Sequence, residues 1–137
     1  MPFKGTVNRL GYKNSLLLGD AAGLVEPVGA EGIPYAIESG LNAAEAVKLH
    51  LEKKLPLLDI YNDLMKEVLD EINVYGVKMH NQMYDKKRMK TLIKLIIKNE
   101  ELRDAIVKKY AGLASYKQIM KKLSIPKLIL AYIRSIF

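Results

Sequence analysis

The sequence contains no cysteine, only two histidines and no long hydrophobic run. The lack of cysteine excludes disulfides, thiolate nucleophiles and zinc–cysteine sites. His50 and His80 have no partner at metal-ligand spacing, so we expect no metal site. The longest apolar runs fall far short of the roughly 20 residues that cross a bilayer. No secretory signal is recognisable at the start of the chain, which predicts a cytoplasmic protein.

Charge is distributed unevenly along the 137 residues. Residues 1–85 carry 8 Lys and Arg against 12 Asp and Glu, whereas residues 86–137 carry 14 against 3. The net charge of +7 is therefore a property of the C-terminal part. This excess suggests an anionic partner surface, although lysine-rich helices of a thermophilic protein explain it equally well. We expect the basic helices to form a helical subdomain whose apolar stripes pack together, with peripheral contact with an anionic membrane surface as a secondary role. We expect no nucleic-acid partner, because no nucleic-acid-binding motif accompanies the basic residues.

Two short strands are predicted in the N-terminal part, at residues 6–10 and 15–18, with a turn between them. The run S-L-L-L-G-D at 15–20 is continuous rather than alternating, which is typical of a strand buried on both faces. Because two strands cannot bury such a strand, we expect this part to form one edge of a larger structure.

Helices are predicted for most of the remaining chain. The first begins at about Ile33, with Pro34 in its first turn, and ends at about Lys54. One face of this helix carries Ile37, Gly40, Leu41, Ala44, Val47 and Leu51. The second helix is predicted at about 58–84, loosened at Gly76.

The basic C-terminal part is also predicted to be helical. Residues 85–99 form an amphipathic helix with two separate stripes. The apolar stripe comprises Met89, Leu92, Ile93, Ile96 and Ile97, and the basic stripe comprises Lys87, Lys90, Lys94 and Lys98. Further helices are predicted at about 100–110, at about 115–123 and from Pro126, with Ser124 as a cap.

The segment L-L-L-G-D-A-A-G-L-V-E-P-V-G-A-E-G-I-P at 16–34 has features of a ligand-binding loop. The strand delivers Asp20 to its carboxyl end, where ligands bind in open α/β sheets, and a carboxylate there suits sugar or polyol hydroxyls. The small residues after Asp20 allow a ligand to approach the backbone, and Gly29 and Gly32 can adopt positive φ. The N-terminus of the following helix favours negative charge.

The whole string resembles the third flavin-binding segment of the geranylgeranyl reductase family. This family belongs to the FAD-dependent oxidoreductases that include aromatic hydroxylases of the p-hydroxybenzoate type. The close match covers about residues 16–46. It comprises, in order and spacing, Gly19, Asp20, Ala21, Ala22, Gly23, Pro27, Gly32, Ile33, Ala36, Ser39, Gly40, Ala43 and Ala44.

The resemblance implies FAD as the cofactor, with Asp20 on the ribityl chain and Pro27 near the face of the isoalloxazine ring. It places the backbones of Gly32 and Ile33 beside that ring. The cofactor-binding residues that it implies are Gly19, Asp20, Ala21, Gly23, Pro27, Gly29, Gly32 and Ile33. Catalytic residues stay unknown. Ala30 stands where the family turn has its first glycine, and Gly29 is expected to compensate.

The sequence contains no G-x-G-x-x-G, the usual fingerprint for the FAD pyrophosphate. We therefore expect an N-terminal flavoprotein half on another chain to supply that site. The predicted fold class is mostly α with a small β element. Residues 1–55 form the C-terminal strand, loop and helix of an FAD-binding α/β domain, and residues 56–137 form an α-helical domain.

The function that the resemblance implies is reduction of isoprenoid C=C bonds in membrane-lipid precursors. The alternatives are another FAD-dependent oxidoreductase or monooxygenase of the same fold, and a non-catalytic helical module that binds a membrane or a partner chain. Glu26, Glu31 and Glu38 flank the segment and are expected to be solvated carboxylates, with a catalytic acid among them as the alternative. Tyr35 either lines a substrate cavity or packs within its helix.

Overall fold

The computed structural model describes residues 5–84 and 86–122. Contacts divide the chain into two compact units, the first ending at Val77 and the second beginning at Lys78. The described residues are mostly helical, with a two-stranded antiparallel sheet. The predicted fold class is confirmed at this level. The functional boundary after residue 55 stays a prediction.

The helices largely follow the predicted bounds. In chain order, the elements are β1 (Gly11–Tyr12), β2 (Ser15–Leu16), a 3-10 turn (Gly19–Ala22), α1 (Ile33–Lys53), α2 (Leu57–Asp70), a π-helical turn (Glu71–Gly76), α3 (Val77–Met83), α4 (Lys86–Lys98), α5 (Glu100–Tyr110) and α6 (Tyr116–Lys122). The predicted helix at 58–84 is observed as α2, the π-helical turn and α3. The helix predicted at Pro126, with Ser124 as its cap, lies outside the described residues.

The hairpin is shorter than predicted, and its first strand begins after the expected range 6–10. Residues at the start of that range hydrogen-bond to other parts of the chain. Thr6 donates its N–H to Asn73 Oδ1 at 2.9 Å. Val7 donates its N–H to the Ala22 carbonyl at 3.1 Å. These two N–H groups are therefore engaged outside the hairpin, in which β1 and β2 have two residues each.

The sequence predicts that residues 15–18 are buried on both faces, but the structure does not show this burial. Leu16 and Leu17 are half-buried, and Leu18 is 40% exposed. The reason is that the described residues place no third strand beside the hairpin, and two strands alone cannot cover both of their faces.

The core of the first unit lies between α1 and α2. It is built from Tyr35, Ala43 and Ala46 of α1 and from Leu57, Tyr61, Met65 and Val68 of α2, together with Leu10, Ala22, Leu24 and Ile72. α1 thus turns its small residues inward, which lets the two helices approach closely. Its larger apolar residues, the face predicted from Ile37 to Leu51, lie on the outside.

The π-helical turn positions the loop that precedes α1. A Cβ on Gly76 would lie 2.9 Å from Pro27 Cδ and 3.1 Å from the Glu71 carbonyl, so only glycine fits at this position. The loosening predicted at Gly76 thus coincides with a close contact with buried Pro27. Helical turns of the π type are frequent at functional sites.

In the second unit, side chains cap two helices. Asn99 Oδ1 accepts the N–H of Leu102 at the start of α5 (3.0 Å). Ser115 and Gln118 exchange hydrogen bonds at the start of α6, each side chain accepting the other residue's N–H (3.2 and 2.9 Å). This reciprocal arrangement is a capping box, which satisfies N–H groups that have no partner within the helix.

The apolar stripe predicted for α4 is wrong in part. Leu95, which is not in that stripe, is the buried residue of the helix, whereas Ile93 and Ile97 are exposed. Met89 and Ile96 are half-buried, and the Leu92 side chain is outside the described set. Apolar residues cover a wide arc of α4, and packing between α4 and α5 buries only part of that arc.

Candidate functional site

The site begins with the tight turn directly after β2, at Gly19–Ala22. Gly19 and Gly23 have positive φ, +51° and +68°, which glycine adopts without the steric cost that a Cβ brings. A Cβ on Gly19 would also lie 3.0 Å from Ala36 Cβ in α1. Turn geometry and packing therefore account for both glycines, and their contact with a cofactor stays a prediction.

A buried hydroxyl joins this turn to α1. Ser39 is completely buried, and its Oγ accepts the Gly19 N–H (3.0 Å) while donating to the Ala36 carbonyl (2.9 Å). The Tyr61 hydroxyl of α2 donates to the Leu17 carbonyl at 3.1 Å. Burial raises the pKa of Tyr61, and its hydrogen bond with Ser39 acts in the opposite direction. Polar contacts thus hold the chain that leaves β2 against both helices.

Glu26 differs from the solvated carboxylate that the sequence predicts, because it is only 1% exposed. One carboxylate oxygen accepts the N–H of Val28 at 2.6 Å, and the other accepts the N–H of Gly29. The Glu26 N–H donates to the Glu31 carbonyl at 2.9 Å. These three hydrogen bonds close residues 26–31 into a compact loop. The side chain lies inward because N–H groups of the loop donate hydrogen bonds to its carboxylate.

The positive φ in this loop falls on a residue that the sequence did not single out for it. Ala30 has φ +58°, whereas Gly29 and Gly32 are outside the positive-φ region. Ala30 itself thus adopts the left-handed conformation, and compensation by Gly29 for close backbone approach stays a prediction. A left-handed conformation costs a residue with a Cβ roughly 1–2 kcal/mol, and the surrounding hydrogen bonds must offset this cost.

Asp20 lies beside the N-terminus of α1. A Cβ on Gly32, the residue that precedes α1, would lie 2.9 Å from Asp20 Oδ1, so the carboxylate occupies space that only a glycine leaves free. No side chain caps this helix end, and Pro34 lies in its first turn. Asp20 is exposed, and no residue that the structure describes donates a hydrogen bond to its carboxylate. An exposed acceptor without a partner fits a ligand that carries hydroxyl groups.

Tyr35 lies beneath the loop and is buried, which supports packing within the helix rather than an exposed position in a cavity. Burial is the main factor that raises the pKa of Tyr35 above its usual range, and nearby carboxylates raise it further. They are, in decreasing order of effect, Glu71, Glu26, Glu38 and Glu31. Its phenol therefore stays protonated at physiological pH. Burial also raises the pKa of Glu38, and Glu67 adds to that shift.

Within the described residues, no three His, Cys, Asp or Glu side chains group closely enough to hold a metal ion. His50 Nδ1 lies 2.5 Å from the Leu55 carbonyl, at the end of α1. None of the described helices combines the length and apolar character that crossing a membrane requires.

The structure brings the residues of the predicted cofactor set together in one turn, one loop and one helix start. Asp20, Ala21, Gly29 and Ile33 are exposed, Gly23 and Gly32 are half-buried, and Gly19 and Pro27 are buried. Sequence reasoning missed the roles of Glu26 and Ser39. For Ser39 a signal existed, because a serine inside an apolar helix face needs a hydrogen-bond partner.

No protein-family model matches the chain, and no solved structure matches it significantly.

Curated proteins that resemble the chain are reductases. A stretch of 45 residues, 33% of this chain, is 44% identical to the menaquinone reductase of Mycobacterium tuberculosis and covers 11% of it. The menaquinone reductase of Mycolicibacterium smegmatis shows the same identity and coverage. The digeranylgeranylglycerophospholipid reductase 3 of Methanosphaera stadtmanae is 30% identical in a 119-residue alignment that covers 71% of this chain and 30% of that protein. The chain thus spans less than a third of the length of these relatives.

Proposed function

We propose that this chain is part of an FAD-dependent reductase that resembles geranylgeranyl reductases and reduces isoprenoid C=C bonds in membrane-lipid precursors. One observation carries the proposal. The exposed carboxylate of Asp20 lies against Gly32 at the uncapped N-terminus of α1. The similarity to reductases, one of which is named for a digeranylgeranyl lipid, supports the reaction type and the substrate class.

The residues of the loop fit a flavin in two respects. The Asp20 carboxylate accepts hydrogen bonds, which matches the hydroxyl groups of the ribityl chain. The α1 N-terminus favours negative charge, and Gly32 and Ile33 bring their backbone to that end. Bound FAD would supply the two-electron reduction of a C=C bond, with electrons from a separate reductant. Pro27 is buried, so we assign it to support of the loop that would hold the flavin.

We further propose that an N-terminal flavoprotein half on another chain completes the site. The outward face of α1 suits such a partner, since Ile33, Ile37 and Leu41 are 76%, 60% and 68% exposed. Apart from its chain neighbours and the nearby backbone of α1, no described atom comes within 4 Å of a Cβ built on Gly40, which lies between them in the sequence. This apolar face begins at Ile33, next to Asp20 and Gly32. A partner packed on it would therefore adjoin the cofactor loop.

Two alternatives predict different results for the complex that forms with such a half. A hydroxylase of the same fold would also contain flavin but would incorporate oxygen into its substrate. A non-catalytic helical module would contain no flavin. The flavin absorbance of the purified complex therefore separates the module from both enzymes, and product analysis separates the reductase from the hydroxylase.

Asp20→Ala is the direct test of the proposed site. The variant loses a charged acceptor of hydrogen bonds, worth about 1.5–3 kcal/mol, so we expect FAD affinity to fall roughly 10- to 150-fold in the reconstituted complex. Flavin retained after dialysis, measured by absorbance, gives the result. Glu31→Gln is the matched control with little expected effect, because the loop uses the Glu31 carbonyl rather than its carboxylate. Equal flavin content in Asp20→Ala and the unmodified complex would rule out the assigned role.

A further inference from the structure

The buried carboxylate of Glu26 has no role in the function proposed above. It is 1% exposed, and no described Lys or Arg forms an ion pair with it. Burying a charge without a cationic partner is costly unless hydrogen bonds compensate. Both oxygens find such partners within the next three residues, in the N–H groups of Val28 and Gly29.

These contacts shape the loop that leads into α1. The side chain of Glu26 binds two consecutive N–H groups, and its own N–H reaches the Glu31 carbonyl at 2.9 Å. Between these anchor points lies Ala30, in a left-handed conformation that its Cβ disfavours. The loop also rests on Gly76, whose missing Cβ leaves room for Pro27. The hydrogen bonds of Glu26 and the contact between Pro27 and Gly76 therefore hold the loop in position through the chain's own residues.

We propose that Glu26 is a positioning residue for the cofactor site. Its carboxylate holds residues 27–31 in the conformation that sets Gly32 against Asp20 at the start of α1. The inference rests on the proposed function, because it assumes that Asp20 and Gly32 bind the cofactor. A loop held in its bound conformation loses less entropy on binding, which increases affinity.

The first measurement uses the 137-residue chain without cofactor. Glu26→Gln replaces one accepting oxygen with an amide donor, so we expect amide hydrogen exchange at Val28 and Gly29 to accelerate at least about tenfold. Adding Ala30→Gly to Glu26→Gln should slow this hydrogen exchange about fivefold, because glycine adopts the left-handed conformation freely. Unchanged exchange in Glu26→Gln, or no recovery in the double variant, would overturn the proposal. Glu26→Asp keeps the charge with a shorter reach and replaces Glu26→Gln if circular dichroism shows the latter unfolded.

The second measurement uses the complex that retains FAD. We expect Glu26→Gln to weaken FAD retention about tenfold, with partial recovery by Ala30→Gly and no change in Glu31→Gln. If Asp20→Ala weakens retention but Glu26→Gln does not, the positioning role is wrong and the proposed function stands. If neither variant changes retention, both are overturned.

Discussion

At the scale of single residues, the polar contacts around Ser39 are the best candidate for a stability test. Ser39 is completely buried and joins the Gly19 N–H to the Ala36 carbonyl. Ser39→Ala leaves the Gly19 N–H without its acceptor, which costs about 1–3 kcal/mol of unfolding free energy. Denaturant unfolding followed by circular dichroism measures the loss. Ser15→Ala, at an exposed position of β2, should change the free energy by less than about 0.5 kcal/mol, and equal losses in both variants would contradict this interpretation.

Asp20 and Glu26 illustrate how far sequence reasoning extends to individual side chains. The exposed position of Asp20 after the strand follows from its place in the pattern. The burial of Glu26 does not follow, because a glutamate is usually exposed to solvent. Only the folded loop shows two N–H groups that converge on this carboxylate. Contacts of this kind depend on backbone angles that the residue types do not specify.

At the scale of elements, α4 presents a surface that suits an anionic membrane. Ile93 and Ile97 are exposed on the same helix as Lys90, Lys94 and Lys98, which are exposed too. Contact with a membrane is a proposal, and we expect the chain to sediment with anionic vesicles at low salt. Each lysine near the surface adds about 1 kcal/mol, so changing these three lysines to glutamine should abolish sedimentation.

Salt and a neutral vesicle are the controls for this experiment. Added salt should weaken the attraction, because ions screen it, and vesicles of neutral lipid should not bind. Ile97→Gln should weaken binding without unfolding the chain, since Ile97 is 66% exposed. A folded chain that stays in the supernatant at low salt would remove membrane contact from the proposed roles.

The helices were predictable to a greater extent than their packing. α1 begins at Ile33 and ends at Lys53, as its first-turn proline and the K-K-L-P segment indicated. The inward face was not predictable from periodicity alone. α1 has apolar residues on more than one side, and α2 packs on the side with Ala43 and Ala46, because small residues allow a closer approach. The larger apolar residues of α1, such as Ile37 and Leu41, therefore stay exposed.

At the scale of the whole molecule, we expect the chain alone to bind FAD very weakly. Under the proposed function it contributes only one of the contact regions of a flavin site, and the sequence lacks G-x-G-x-x-G. Titration of the purified chain with FAD, followed by flavin fluorescence, should show no stoichiometric binding. Tight stoichiometric binding would show that the chain forms a complete site.

The matched experiment adds an N-terminal flavoprotein half that carries the missing fingerprint. Flavin retention should then appear, and the combined variant Ile37→Glu and Leu41→Glu should prevent it. Both positions are exposed, so the stability of the chain itself should change by less than about 0.5 kcal/mol. Retention that survives both substitutions would show that the α1 face is not the contact.

The sequence by itself determined where most of the described helices lie and where the candidate ligand-binding segment at 16–34 lies. These features follow from local signals, namely apolar periodicity, Pro34 and the glycines after the hairpin, which act over a few residues. Tertiary structure alone decided that Glu26 is buried, that Ala30 is left-handed and that α1 turns its larger apolar residues outward. These features depend on contacts between segments far apart in the chain, such as Gly76 against Pro27, and local residue patterns do not encode which surfaces meet.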